Sequence, residues 1–225
     1  MKTSETLGVG KPKPKPKSRK AQVSLPAKVA MIAVAAVAGL GAIYWFNTSG
    51  RGPSTGKYRF EVGSPGPGQM APPIKLASDI GGTFDLTNMR GRTVLLYFQE
   101  GLTCQPCWDQ IKDIEKNEGD LKALGIDMIV SVTTDPVQLL RQKAIEERLH
   151  TPILSDPDLA VSKSYQANSY GMMGANRDGH TFIVIGPDGQ IKWRADYGGA
   201  PDYTMYLPVR DLVADLRRGL GKPNG

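Results

Sequence analysis

The chain holds two cysteines, and only two positions separate them, in Thr103-Cys104-Gln105-Pro106-Cys107. With this spacing the second sulfur can attack a mixed disulfide formed at the first, so the pair can cycle between dithiol and disulfide. An exported domain stapled by structural disulfides would carry more cysteines, so these two read as reserved for chemistry. A zinc site would want two further ligands, and only His150 and His180 offer nitrogen. His150 precedes Thr151-Pro152 at the expected end of a helix, where it would be solvated. Cys104, Cys107 and His180 together would make a soft donor set suited to copper(I). The expectation is redox chemistry at Cys104 and Cys107 without a cofactor or resident metal.

The neighbours of the pair divide into chemical and structural candidates. Glu100 lies shortly before Cys104 and is a candidate proton shuttle for the second thiol, with a solvated loop acid as the plain alternative. Thr103 directly precedes the pair, and Pro106 stiffens the bridge and suits an early helical position. Trp108 follows and is expected to pack over the site. Gly171, Gly174 and Gly179 around Met172-Met173 suggest a mobile loop nearby, and His180 follows that loop.

The elements that must hold these residues are legible as a strand handing over to a helix. Thr93-Val-Leu-Leu-Tyr-Phe98 is a continuous apolar run suited to the centre of a sheet. Ile111, Ile114, Leu121 and Leu124 then recur at helical spacing, and Gly125 ends that helix. At a helix start the first N–H groups lack partners and the local potential is positive, which favours a thiolate. Further on come a strand over Ile126–Val132 and a helix capped by Thr134 or Asp135, with Val137, Leu140, Ala144 and Ile145 facing inward. A β-hairpin turns at Pro187-Asp-Gly189, and a last amphipathic helix carries Leu212, Val213, Leu216 and Leu220. Asp79-Ile-Gly-Gly-Thr83 reads as an earlier hairpin turn. This order predicts an α/β layer structure with a mixed central β-sheet flanked by helices.

Between Ala71 and Gly221 the chain resembles the thioredoxin-like superfamily, and most closely its redoxin branch, the alkyl hydroperoxide reductase/thiol-specific antioxidant (AhpC/TSA) proteins. The resemblance rests on the strand before Cys-x-Pro-Cys, the opening Ala71-Pro-Pro-Ile-Lys-Leu76, the loop Leu86–Val94, and the stretches Ser131–Asp135 and Leu154–Asp158. It implies a thioredoxin-like fold and a thiol-dependent oxidoreductase with antioxidant activity. In a disulfide exchanger Cys104 would be the nucleophile, Cys107 its resolving partner, and a thiol/disulfide protein the substrate. In peroxiredoxins the motif Pro-x-x-x-Thr-x-x-Cys would put Cys107 at the peroxidatic position, with peroxide as substrate. Glu100 then stands at the proline place and Cys104 at the threonine place. Two departures from thioredoxins are Thr103, where Trp is usual, and Gly179, where a cis-proline would precede the strand. Sco-type copper chaperones share the fold, which gives a third reading through Cys104, Cys107 and His180. The expectation from sequence is exchange through Cys104/Cys107, with the peroxidase and the copper chaperone as alternatives.

Eight Lys or Arg precede Val29 against a single acid, Glu5, and the overall formal charge of +6 belongs to this tail. The remainder is nearly neutral, so nothing marks a nucleic-acid binder. Residues 29–46 are 18 consecutive uncharged residues ending in Tyr44-Trp45-Phe46. As a helix they would span roughly 27 Å, close to a bilayer's hydrocarbon core. Ala36-Val-Ala38 has the form of a cleavage site, but the apolar run continues past it into the aromatic residues. The expected organisation is a basic cytoplasmic tail (1–28), a transmembrane helix in the lipid bilayer (29–46), a Gly/Pro/Ser linker (47–70) and an extracytoplasmic redox domain (71–225).

Overall fold

A computed structural model describes residues 56–222, together with the isolated positions 37 and 39, both helical. The 1–28 tail, the rest of the 29–46 segment and residues 47–55 lie outside the described residues. Among the described residues no helix is long and apolar enough to cross a membrane.

The strands are β1 (Lys75–Ser78), β2 (Thr83–Asp85), β3 (Val94–Phe98), β4 (Met128–Thr133), β5 (Ile153–Ser155), β6 (Thr181–Ile185) and β7 (Ile191–Asp196). The helices are α1 (Gln105–Lys116), α2 (Glu118–Ala123), α3 (Val137–Glu147), α4 (Ala160–Ser164) and α5 (Val209–Gly219). All seven strands form one sheet in the order β2-β1-β5-β4-β3-β6-β7. The β3/β4 and β4/β5 pairs are parallel, whereas β1/β2, β1/β5, β3/β6 and β6/β7 are antiparallel. The sheet is therefore mixed, with helices against it, as the order of elements implied.

β3 is central because every one of its residues can be buried, and all five are. Its side chains alternate between two cores. Leu95 and Tyr97 join Trp108, Ile111, Leu140, Phe182 and Leu212 on the side covered by α1, α3 and α5. Val94, Leu96 and Phe98 face the other way, with Val130, Val132, Ile183 and Tyr165. This double-sided burial fixes where β3 ends, and thus where the cysteine-bearing loop leaves the sheet.

Several expectations are corrected. The helix after the cysteines is two helices, broken at Asn117, whose side-chain Nδ2 donates to the Asp113 carbonyl at 2.7 Å. Pro136 is the N-cap of α3, while Asp135 is engaged elsewhere. Ile145 is 70% exposed and does not face inward. Residues 56–70, expected as the distal part of a linker, are laid along the outer edge of the sheet. Glu61 and Asp196 exchange backbone hydrogen bonds of 3.0 and 2.9 Å, and Ile191 does the same with Gly68 and Gln69 at 2.8 Å. The Phe60 ring sits 6.2 Å from Trp193 and 5.3 Å from Tyr197. The packed domain therefore begins well before Ala71.

Candidate active site

Cys104 is the N-cap of α1, and Pro106 occupies its first turn, where the missing N–H is harmless. No side chain caps this helix, and no acidic residue stands in its first turn. A thiolate there would meet the helix's positive end undiminished. Cys104 and Cys107 are joined in a disulfide with Cα atoms 5.3 Å apart, and the Cys107 N–H donates to the Cys104 carbonyl at 3.0 Å. Cys107 is fully buried, and Cys104 is 6% exposed. Met205, from the segment between β7 and α5, clusters with the two cysteines. That segment is tied down on α1 by Leu207 N–H donating to Gln110 Oε1 at 2.7 Å and Tyr206 O–H donating to Asp113 Oδ2 at 2.9 Å.

The loop before the cysteines is braced from two sides. Leu102 N–H donates to Asp135 Oδ2 at 2.7 Å, and the Arg177 guanidinium reaches Asp135 Oδ1 at 2.6 Å. Gly101 has φ +91°, and a Cβ there would overlap the Asp135 carboxylate, so glycine is required on both grounds. Trp108 is fully buried and donates its indole N–H to the Gly101 carbonyl at 3.0 Å, fixing the loop from below. Its packing role follows the expectation.

Glu100 is only 1% exposed, so it is not a solvated loop acid. Its Oε1 accepts the backbone N–H groups of Met172 (2.6 Å) and Met173 (3.1 Å), which ties the carboxylate to the loop before β6. That engagement gives the carboxylate a holding role in the loop. On the same loop, Met173 Sδ accepts from Thr103 Oγ1 at 3.4 Å, so Thr103 bridges the cysteine-bearing turn and the methionines. Gly179 stands where the backbone of Tyr170 crosses, so closely that any Cβ would overlap the Tyr170 carbonyl. Its smallness lets the 170–179 loop close over the start of β6.

His180 is completely buried, with its ring against Tyr97 (5.1 Å between centroids), Phe182 (5.1 Å) and Tyr197 (6.1 Å). Neither ring nitrogen has a hydrogen-bond partner. Burial pushes its pKa down from 6.5 to about 3, so the imidazole is neutral. Two residues before Phe182, it lies on the sheet face that α1 covers. Its carbonyl accepts from Tyr197 N–H (2.8 Å) and Gly198 N–H (3.2 Å), at the root of the segment that delivers Met205. No group of three or more His, Cys, Asp or Glu side chains converges to hold a metal among the described residues. With their sulfurs bonded to each other, Cys104 and Cys107 do not converge with His180 as a donor set in this structure. His150 is exposed, as expected.

Sequence reasoning missed Asp135, Arg177 and Met205. Asp135 sat in a recognised stretch but was read as a helix cap. Arg177 and Met205 carry no local signal, because their partners lie far away in sequence.

Comparison with known proteins adds what geometry alone does not. The AhpC/TSA family profile matches residues 67–194. A relative from Mycobacterium tuberculosis is 32% identical over 130 residues, covering 56% of this chain and 81% of the relative. Peroxiredoxin Bcp of Escherichia coli is 30% identical over 128 residues, again 56% of this chain and 81% of the relative. Among solved structures, peroxidoxin BcpB from M. tuberculosis superposes with a TM-score of 0.55 at 19% identity, covering 68% of this chain and 96% of the other. AhpC of Enterococcus faecalis superposes with a TM-score of 0.57 at 15% identity, covering 71% and 98%. These superpositions speak for the fold.

Proposed function

The chain belongs to the AhpC/TSA family, and from that membership we propose that it is a thiol peroxidase in which Cys107 is the peroxidatic residue and Cys104 the resolving one. It is an oxidoreductase working through thiols, in line with relatives such as peroxiredoxin Bcp. The observation that carries the proposal is the Cys104–Cys107 disulfide at the uncapped start of α1, within the stretch matched to the family. Exchange initiated at Cys104, the first expectation from the sequence, has less support, because the recognised relatives are peroxiredoxins.

The chemistry closes without a cofactor. The Cys107 thiolate attacks the distal peroxide oxygen, the O–O bond breaks, and the alkoxide leaves to be protonated as an alcohol, or as water from hydrogen peroxide. Cys107 is now a sulfenic acid. The Cys104 thiol attacks that sulfur, the S–O bond breaks, and water departs as the disulfide forms. An external dithiol, itself oxidised to a disulfide, returns both cysteines to thiols. The positive end of α1 stabilises the attacking thiolate. Met205 and the fully buried position of Cys107 require the site to loosen between the disulfide and dithiol states. We place this domain outside the cytoplasm, held by residues 29–46, on the strength of the basic tail and the uncharged run behind it.

The test is single-turnover oxidation of the reduced full-length protein. Cys104→Ser should still consume one equivalent of peroxide and leave a sulfenic acid at Cys107 that a 1,3-diketone traps. Cys107→Ser should leave peroxide untouched. Thiols inert to peroxide, with rapid attack on protein disulfides that depends on Cys104, would reinstate exchange.

A further inference from the structure

The loop that bears the cysteines and the loop that precedes β6 are joined at the level of the site by side chains of Glu100, Thr103 and Arg177. Glu100 ends its run from the sheet with a nearly sealed carboxylate, and Oε1 takes both consecutive N–H groups of Met172 and Met173. The Glu100 carbonyl in turn accepts from Arg177 Nη1 at 3.3 Å, and Arg177 is held by Asp135. The side chains of Met172 and Met173 are left 61% and 46% exposed, and Met173 Sδ contacts Thr103, the residue next to Cys104. Two consecutive large apolar side chains left exposed, one of them touching the residue before Cys104, need a reason, because neither is part of the core. Backbone N–H groups held by a carboxylate make a strong anchor, and it is the backbone, not the thioethers, that is anchored.

We propose that Glu100 is a positioning residue that fixes the backbone of Met172 and Met173 so that their side chains form an apolar wall beside the approach to the Cys104/Cys107 dithiol. The wall gives an organic hydroperoxide's carbon skeleton a surface to lie against while its O–O group points at the dithiol. The effect on turnover rests on the peroxidase reading above, whereas the holding role does not.

The experiment uses full-length protein with Glu100→Gln, Glu100→Ala and Gly171→Ala. The amide oxygen of Gln can still accept both N–H groups, and Ala can accept neither. Gly171→Ala leaves Glu100 intact but puts a Cβ about 2.8 Å from its Oε1, so it loosens the same loop from the other side and serves if Glu100→Ala fails to fold. Tryptic cleavage after Arg177 in the oxidised protein reads the anchoring directly. Losing two hydrogen bonds to a charged acceptor should raise the cleavage rate by about tenfold or more for Glu100→Ala and Gly171→Ala, with Glu100→Gln, which keeps two weaker neutral bonds, clearly between them and wild type. In turnover, KM for a bulky organic hydroperoxide should rise about tenfold in the two loosened variants, with kcat and the KM for hydrogen peroxide within about twofold. Unchanged cleavage in Glu100→Ala, or a Glu100→Gln that behaves like Glu100→Ala, would overturn the anchor. Accelerated cleavage with an unaltered KM for the bulky peroxide would overturn the wall. If no protein, wild type included, consumed any peroxide, the peroxidase reading would fall while the cleavage result still judged Glu100.

Discussion

Replacing His180 with phenylalanine should make the protein markedly less sensitive to acid. The imidazole is buried among Tyr97, Phe182 and Tyr197 with both nitrogens unpartnered, and its pKa is lowered from 6.5 to about 3. Above pH 6.5 the ring is neutral in folded and unfolded chains alike and contributes no pH dependence. Below it the unfolded chain takes up a proton that the folded chain refuses until about pH 3, so stability falls as pH falls. The slope is about 1.4 kcal/mol per pH unit, and by pH 5 the loss relative to pH 7 is about 2 kcal/mol. Phenylalanine keeps the ring contacts and removes two unsatisfied polar atoms, so at pH 7 the variant should match or exceed wild type. Asp178, whose carboxyl burial pushes well up, contributes a dependence of opposite sign, but it is present in both proteins and cancels in their difference. Urea unfolding of the oxidised proteins at pH 7, 6 and 5 gives that difference directly. It should widen by about 2 kcal/mol in favour of His180→Phe between pH 7 and pH 5. Parallel stability curves, or a variant much less stable than wild type at pH 7, would refute the neutral, unpartnered imidazole.

Other expectations concern packing. Arg194 and Asp196 are both completely buried as an ion pair, and Arg194 also donates to the carbonyls of Tyr165 and Pro65. Arg194→Leu strands the carboxylate and should cost about 3–5 kcal/mol in urea unfolding. Gly179→Ala must push the Tyr170 backbone away and should lower stability by more than about 3 kcal/mol, visible as a large drop in Tm. Gly119→Ala acts in the opposite direction. The position lies within α2, nothing stands within 4 Å of the added Cβ, and stability should rise by about 0.5–1 kcal/mol.

Much of the frame was legible because local pattern and burial agree. Val94–Phe98 reads as a central strand since each residue suits a dry environment, and the cysteines fall at its handover to a helix wherever the exact boundary lies. The β6/β7 hairpin was readable from its Pro-Asp-Gly turn. By contrast, β5 spans only three residues between Pro152 and Asp156, too few to show a period. The break at Asn117 depends on an amide side chain competing for a helical carbonyl, which many mid-helix asparagines do not do. Asp135 looked like a cap because Asp before Pro-Val usually is one, yet the loop amide of Leu102 and the cation of Arg177 claim it first. Glu100 could be placed near the thiols from sequence, but its partners lie 72 and 73 residues away. Burial of an acid against distant amides leaves no trace in local spacing.

The stretch from Phe60 to Met70 does more than begin the domain early. β7 is the last strand of its sheet, and its outer row of amides and carbonyls is where another polypeptide could dock by β-pairing. Glu61, Gly68 and Gln69 already occupy that row with the chain's own backbone. A fragment trimmed to start at Ala71 would leave that row unpaired beside Trp193, an open edge of the kind along which copies of a chain can zip together.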